Sequence, residues 1–357
     1  MMLSDLSSTS SDEHDVEPPR RPARRIRFIR DRENPFELHD DVEFKKRFRL
    51  NKTTLMNLVH LIGDATEPRT RRNKSLDARA QILVTLRFYA TGGFLELIGD
   101  YMHIHKSNIC RIIRRVTSQI ARLSRQYIKM PNNNQELMAT KPGFFQIAGF
   151  PRVVGAVDCT HVSIQSPGGP TAELYRNRKG YFSINVQAIC DSELKLLHII
   201  SRWPGSVHDS TIFNDSPLPV EFRMGRYGSG FLLGDSGYPC KPHLLTPVTV
   251  NQMNASQEAY NRAHIATRNT VERFFGVLKR RFPCLKNGLR LKLVTTVKVI
   301  VACGVLHNIC KEQNDEIEDY FEPIEDEEED EFVFHEGNNN NPNYAVRNAL
   351  IATVFAR

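Results

Sequence analysis

The spacing of apolar residues changes near Pro151, and this change constrains the fold more than any other feature of the chain. Before Pro151, apolar residues recur every three or four positions, as on one face of a helix. After it come short runs rich in Val, Ile, Leu and Phe, which are typical of strands. These runs span Val153–Ile164, Tyr181–Cys190, Leu194–Ser201 and Gly230–Gly234. Helical patterns return at 269–282 and 294–310, so an α/β domain with helices packed on a sheet is predicted.

With 357 residues, the chain is long enough for two domains, and composition divides it further. Residues 131–150 contain a triple Asn, Pro131, Pro142 and Gly143, and are predicted to be a linker. The other predicted segments are a disordered basic arm (1–33), a helical region (35–130), an α/β domain (150–312), an acidic and Asn-rich linker (313–343) and a C-terminal helix (344–357).

Charge is unevenly distributed along the chain. The net charge of +7 modestly favours an acidic partner such as nucleic acid. Basic residues concentrate in Arg20–Arg32 and acidic residues in Asp315–Glu331, and such end blocks are usually solvated tails. Seven cysteines without a Cys-x-x-Cys motif predict a reduced, intracellular protein without a disulfide framework.

The longest apolar run, Leu293–Ile309, is predicted to be a buried helix and not a membrane span. Lys298 and two further polar residues interrupt it, and it is shorter than a bilayer requires. Cys303, His307 and Cys310 lie at i, i+4 and i+7 in this region and could in principle bind zinc. Because apolar residues surround them, core packing is the favoured interpretation.

A basic amphipathic helix is predicted after Ser107, which could cap its N-terminus. Its apolar residues form one stripe: Ile109, Ile112, Ile113, Val116 and Ile120. The opposite side carries Arg111, Arg114, Arg115 and Arg122. A short helix around 94–101 precedes it, which makes a helix-turn-helix pattern whose second helix would enter the major groove of DNA. An ordinary helical bundle with a solvated basic face is the alternative.

Three carboxylates occur in surroundings that disfavour an uncompensated charge. Asp158 lies within an apolar run, Asp235 ends another, and Glu272 borders the apolar stripe of a helix. Buried carboxylates are costly unless a cation or a hydrogen-bond donor compensates them. Cleavage of phosphodiesters with two metals needs oxygen ligands around ions roughly 3.5–4 Å apart, and carboxylates suit Mg²⁺ and Mn²⁺. The set therefore predicts a shared divalent-cation site.

Further residues are candidates for the same chemistry. Asp209 follows a strand and begins a helix, so it is either an N-cap or a further metal ligand. Arg178 and Lys179 lie in a basic loop that could contact the DNA backbone, with a solvated surface as the alternative. Lys279, seven residues after Glu272 and on the same side of the helix, is expected to contact DNA phosphates together with Arg280.

Six motifs make the chain resemble the PIF/Harbinger superfamily of transposases and the nucleases derived from Harbinger transposases. They are Gly155–Val162, Asn177–Gly180, Trp203–Ser210, Leu233–Pro239, Val271–Phe282 and Val305–Asn308. The resemblance implies a ribonuclease H-like catalytic domain with an Asp-Asp-Glu site at Asp158, Asp235 and Glu272, and Asp209 as a further ligand. The spacing from Asp235 to Glu272, 272 − 235 = 37, suits the short-spaced arrangement of that superfamily.

These observations predict a metal-dependent DNA endonuclease of transposase origin, acting with Mg²⁺ or Mn²⁺ in the nucleus and also in the cytoplasm. Two alternatives stay open at this point: a catalytically silent DNA- or protein-binding module, and a full transposase with strand transfer. The resemblance also implies a Myb/SANT-like helper protein that binds DNA. A homo-oligomer is considered as well, and no membrane association is expected.

Overall fold

A computed structural model describes residues 33–68, 70, 75–316 and 342–356. The predicted basic arm (1–33), except its last residue, lies outside the described residues. The same holds for most of the predicted acidic linker (313–343). Everything described belongs to one compact unit.

The described residues contain a five-stranded mixed sheet, which confirms the predicted α/β class. Its strands are β1 (Val153–Ser163), β2 (Ser183–Cys190), β3 (Leu196–Pro204), β4 (Phe231–Leu233) and β5 (Leu244–Leu245). The strand order is β3-β2-β1-β4-β5. β1 pairs antiparallel with β2 and parallel with β4, while β2–β3 is antiparallel and β4–β5 is parallel. β1 is therefore the central strand.

Fourteen α-helices are assigned within the described residues. Eight precede the sheet: α1 (Pro35–Leu38), α2 (Asp41–Phe48), α3 (Lys52–Thr66), α4 (Ala78–Thr91), α5 (Leu95–Met102), α6 (Lys106–Arg122), α7 (Ser124–Tyr127) and α8 (Asn134–Ala148). The others are α9 (Asp209–Asn214), α10 (Leu218–Arg223), α11 (Ala255–Arg281), α12 (Cys284–Asn287), α13 (Leu293–Glu312) and α14 (Ala345–Thr353). Two 3₁₀ turns are also present, Ala172–Tyr175 and Pro342–Tyr344.

The predicted apolar stripes form the main core. All five stripe residues of α6 are buried, and so are those of α11 around Val271 and Phe274. The N-terminal helices share this core with the sheet region, since the rings of Tyr89 on α4 and Phe282 after α11 meet edge-on at 6.2 Å. The helices before Pro151 therefore pack directly against the helices that cover the sheet.

Three boundaries differ from the sequence expectation. The helix that carries Glu272 begins at Ala255 and not near 269, because Asn254 and Gln257 form a capping box that starts it earlier. Residues 134–148 of the expected linker are helix α8, whose N-cap Asn133 accepts a hydrogen bond from the Glu136 backbone. The N-cap of α6 is His105 and not Ser107.

Helix α13 is long and apolar enough to cross a bilayer by length and composition alone. However, 67% of its most apolar stretch is buried inside the protein. Its polar residues bind neighbouring backbone: the Asn308 side chain accepts from the Leu196 N–H, and His307 Nε2 lies 2.7 Å from the Leu194 carbonyl oxygen. These contacts identify α13 as a core helix, as predicted.

The buried histidines predict a loss of stability in mild acid. Burial lowers the pKa of both His264 and His307 to about 4, from an ordinary value of 6.5. A lowered folded-state pKa means that the unfolded chain binds more protons, so the stabilising contribution is present above pH 6.5 and is lost as pH falls towards 4. We expect the melting temperature to fall over this window in thermal melts. We expect His264→Gln to flatten the fall, and a wild-type-like profile in that variant contradicts the prediction.

Candidate metal and DNA-cleavage site

Asp158 and Asp235 lie at corresponding positions of neighbouring parallel strands. Ala156 of β1 pairs with Leu233 of β4. Asp158 lies two residues after Ala156, and Asp235 lies two residues after Leu233. Because β1 and β4 run parallel, equal offsets from a paired position keep the two carboxylates near each other, and the charge of Asp235 acts on Asp158. The negative charge of Asp235 raises the pKa of Asp158. The sheet register therefore brings together two acids that are 77 residues apart (235 − 158 = 77).

Glu272 joins the site through Arg268, a residue not identified from the sequence. Arg268 and Glu272 are one helical turn apart on α11, and their side chains form an ion pair. The other guanidinium nitrogen of Arg268 lies 3.1 Å from Asp158 Oδ2. The Arg268 side chain is only 11% exposed, so this bridge is largely shielded from water. An Arg four residues before an acid at the edge of an apolar stripe was the sequence signal for it.

The electrostatics of the pair disfavour two full negative charges. Burial raises the pKa of Asp158 well above its ordinary value, the charge of Asp235 raises it further, and Arg268 opposes the rise. Burial also raises the pKa of Asp235 to about 6, against the opposing charge of Arg268. A cation held between the carboxylates would relieve both effects. The donor set, carboxylate oxygens alone, suits a hard divalent ion such as Mg²⁺ or Mn²⁺.

Asp209 is the first residue of α9, but its side chain does not cap that helix, whose N-cap is His208. Instead, Asp209 Oδ1 accepts a hydrogen bond of 2.7 Å from the Asn185 side chain. Its charge acts on both Asp158 and Asp235. The structure thus brings all four sequence-predicted acids into one neighbourhood.

Two buried amides on β2, Asn185 and Gln187, support the acids and were not identified from the sequence. Asn185 donates to the Val207 carbonyl at 2.8 Å as well as to Asp209. Gln187 Nε2 donates to Tyr238 Oη at 3.2 Å and lies 3.4 Å from the Asp209 carbonyl oxygen. Two amides at alternate positions of an otherwise apolar strand were the available signal, because such residues face the same side of a sheet.

The Asn185 contact predicts an effect on metal affinity. Partners that orient a ligating carboxylate typically change metal affinity by about 10–100-fold when removed. Asn185→Leu keeps a similar volume but cannot donate to Asp209, so we expect Mn²⁺ affinity to fall by about this factor. Titration of the melting temperature with Mn²⁺ measures it. Wild-type affinity in a folded Asn185→Leu protein shows that the amide has no role in the site.

As arranged, the described residues contain no group of three or more His, Cys, Asp or Glu side chains that could hold an ion. At the acidic site, the Arg268 guanidinium lies against Asp158 and Glu272, where an ion would need their oxygens. The residues therefore fit a divalent cation in donor chemistry, provided that Arg268 moves aside.

The cysteines and histidine of α13 belong to the core. Cys303, His307 and Cys310 are all buried, and the His307 ring meets the Phe274 ring edge-on at 5.2 Å. Burial raises the pKa of Cys310 to about 12, which disfavours the thiolate that zinc requires. Core packing is therefore the better interpretation of this triplet.

The predicted DNA-contacting residues occupy two regions. On α6, Arg111, Arg114 and Arg115 are exposed and line a cavity of about 400 Å³. Arg111 donates to Asn108 at 3.0 Å, and Arg115 binds Gln81 of α4.

The other four predicted residues lie in the part of the chain that also carries the acids. Arg178 is exposed and its guanidinium lies 2.6 Å from His208 Nδ1, beside Asp209. Lys179 is exposed as well, and Arg280 is half-buried. Lys279 is only 8% exposed, so it differs from the surface lysine that the helical spacing suggested.

Comparison with known proteins identifies the same region. The family model described as "DDE superfamily endonuclease" matches residues 157–308, which include all four acids. "Putative nuclease HARBI1" of Homo sapiens is 34% identical over 258 residues, covering 71% of this chain and 73% of the relative. The protein of the same name from Xenopus laevis is 31% identical over 302 residues, covering 84% and 86%.

A plant protein is also similar: "Protein ALP1-like" of Arabidopsis thaliana is 24% identical over 297 residues, covering 78% of this chain and 72% of the relative. No solved structure matches the chain significantly. The matched range and the extent of similarity to the animal proteins agree with the resemblance found in the motifs. The chain belongs to the DDE superfamily of endonucleases, in the branch of nucleases derived from Harbinger transposases.

Proposed function

We propose that this protein cleaves DNA phosphodiester bonds with a divalent metal held by Asp158, Asp235 and Glu272. The observation that carries the proposal is the proximity of Asp158, in the middle of β1, and Asp235, just after β4, with Glu272 linked to Asp158 through Arg268. Crowded, buried carboxylates with raised pKa values are typical of functional sites.

The sheet order supports a ribonuclease H-like catalytic domain. Three antiparallel strands, β3, β2 and β1, continue into the parallel strands β4 and β5. This arrangement puts one acid on the long central strand and a second at the end of its parallel neighbour. A rigid central strand is where a carboxylate shared between two ions is expected.

The residues of the acidic site have distinct roles in the proposed reaction. Asp158 and Asp235 would hold the ions, and Glu272 would supply a further carboxylate oxygen. Arg268 would have to leave Asp158 and Glu272 for their oxygens to become available. Asp209, held by Asn185, either ligates directly or orients the site. When bound, Mg²⁺ or Mn²⁺ would activate the attacking water and neutralise charge on the leaving oxygen.

We further propose that the N-terminal helices bind DNA, in the manner of a helix-turn-helix. Helices α5 and α6 are joined by a short turn, and the exposed Arg111, Arg114 and Arg115 of α6 suit contacts to phosphates. A nuclear location, a Myb/SANT-like helper protein and a homo-oligomeric state form part of the same proposal. They rest on the resemblance to transposases and on the DNA substrate.

Plasmid cleavage tests the proposed function. We expect wild-type protein to nick supercoiled plasmid in Mg²⁺ or Mn²⁺ and to be inactive in EDTA. Asp158→Ala is expected to be inactive under every condition while still binding DNA. Joined DNA products in the wild-type reaction would identify a full transposase. DNA binding without any metal-dependent cleavage, by folded wild-type protein, would favour a silent binding module and contradict the proposal.

A further inference from the structure

A basic cavity lies beside the acidic site, between the end of β1 and the end of α11. It has a volume of about 220 Å³ and is lined by His161, Ser163, Tyr181, Lys279, Leu285 and Lys286. Among these described lining residues, two are lysines and none carries a carboxylate. A cavity of this size and composition favours an anionic guest over a cation or an apolar molecule.

The lining residues are held in place by the fold. His161 Nδ1 lies 3.0 Å from Ser183 Oγ on the paired strand β2, and its ring meets the Tyr181 ring edge-on. Lys279 is only 8% exposed, so it lines the cavity from a largely buried position, where solvent screens charge interactions less than at the surface. Lys286, in contrast, is exposed and can reach a guest from the solvent side.

The cavity and the acids both involve residues of β1 and α11. The rise per residue of these two elements therefore gives the distance between them. Along β1, His161 is three residues past Asp158, which corresponds to about 10 Å. Along α11, Lys279 is seven residues past Glu272, which also corresponds to about 10 Å. The helix carries Glu272 and Lys279 on the same side, whereas His161 and Asp158 leave β1 on opposite faces because they are three residues apart.

This distance keeps the cavity within reach of the proposed substrate. A DNA strand carries one phosphate for about every 3.4 Å of duplex axis, so a site about 10 Å from the acids can meet another phosphate of the same strand. We propose that the cavity binds a backbone phosphate of the DNA strand close to the bond that the acidic site cleaves. The inference rests on the proposed function, and it adds a second anchor point that fixes the register of the strand.

Salt dependence of DNA binding in EDTA tests the cavity without any cleavage. Each phosphate contact contributes about 0.9 to the slope of log affinity against log salt concentration. We expect Lys286→Gln and Lys279→Gln each to weaken binding at low salt and to reduce the slope by up to about this amount. Lys46→Gln, which removes an exposed lysine on α2 outside the cavity, is the matched control and should keep the wild-type slope.

Lys279 is buried, so Lys279→Gln could unfold the protein. Lys286 is exposed, so Lys286→Gln tests the cavity even in that case. A wild-type slope in folded Lys286→Gln and Lys279→Gln proteins overturns the inference. Stabilisation by inorganic phosphate that is lost in Lys279→Gln, together with an unchanged DNA slope, also overturns it, because the guest is then a free phosphate ester.

Two claims can be wrong independently: phosphate binding in the cavity, and metal binding at the acidic site. Thermal stabilisation by Mn²⁺ depends on the acids and not on the cavity, so we expect it to be the same in Lys286→Gln and wild type. If Mn²⁺ stabilises both proteins and the slopes are equal, only the cavity assignment is wrong. If Mn²⁺ stabilises neither protein while the slopes differ, the acidic site is wrong and the phosphate contact stands.

Discussion

Phe274→Ala is expected to destabilise the protein by about 3–5 kcal/mol, the usual cost of removing a fully buried phenylalanine. Phe274 lies on α11 with no exposed surface, and its ring contacts the rings of His307 and Phe275 at centroid distances of 5.2 and 5.4 Å. The cost combines lost apolar burial with the cavity left behind. Chemical denaturation, with the midpoint and slope measured separately, gives the change in the free energy of unfolding.

Glu272→Gln is the matched control on the same helix, two residues earlier. Its side chain is half-buried and pairs with Arg268, and glutamine keeps its volume while losing the charge. We expect this variant to unfold close to the wild-type midpoint but to lose metal-dependent cleavage. Equal destabilisation by both variants contradicts the account, because Glu272 would then be a structural residue of α11.

Mn²⁺ is expected to stabilise the wild-type protein by about 2.7 kcal/mol at a hundredfold excess over its dissociation constant. An ion bound only by the folded state raises the free energy of unfolding through mass action. The raised pKa of Asp235, about 6, adds a pH dependence. Because a proton competes with the ion for this carboxylate, stabilisation should be larger at pH 7.5 than at pH 5.

The control for Mn²⁺ is the double variant Asp158→Ala/Asp235→Ala, measured in the same thermal melts. Removing both carboxylates removes the ligands and also the repulsion between them, so the metal-free protein is expected to remain folded. An equal Mn²⁺-induced shift in the double variant and in wild type would place the ion elsewhere on the protein.

The main strands and the site acids could be predicted because their signals are local. Runs of β-branched and apolar residues predicted β1 to β4, whereas β5 is only two residues long and leaves no pattern. The start of α11 was missed because its first turns are polar and only the capping box at Asn254 marks them. Helix α8 was missed because Pro142 and Gly143 lie inside it, although Leu137 and Phe144 pack into the core.

The partners of the acids could not be predicted, because they depend on strand register and helix placement. Asn185 reaches Asp209 because β2 pairs with β3 in the observed register, with Asn185 opposite Trp203 shortly before α9 begins. Arg268 meets Asp158 because α11 crosses β1 at that residue, 110 positions away in sequence. Spacing along the chain carries no information on such contacts, so the local signals and the resemblance to transposases identified the acids but not the residues that support them.

Cleavage by Asp235→Cys, compared in Mg²⁺ and in Mn²⁺, tests most directly whether Asp235 binds the catalytic metal. A thiolate is a poor ligand for Mg²⁺, while Mn²⁺ accepts sulfur more readily. We predict that Asp235→Cys is inactive in Mg²⁺ and regains plasmid cleavage in Mn²⁺, whereas the matched Asp235→Ser stays inactive in both. Cleavage by either variant in Mg²⁺ at the wild-type rate would contradict the assignment of Asp235 as a metal ligand.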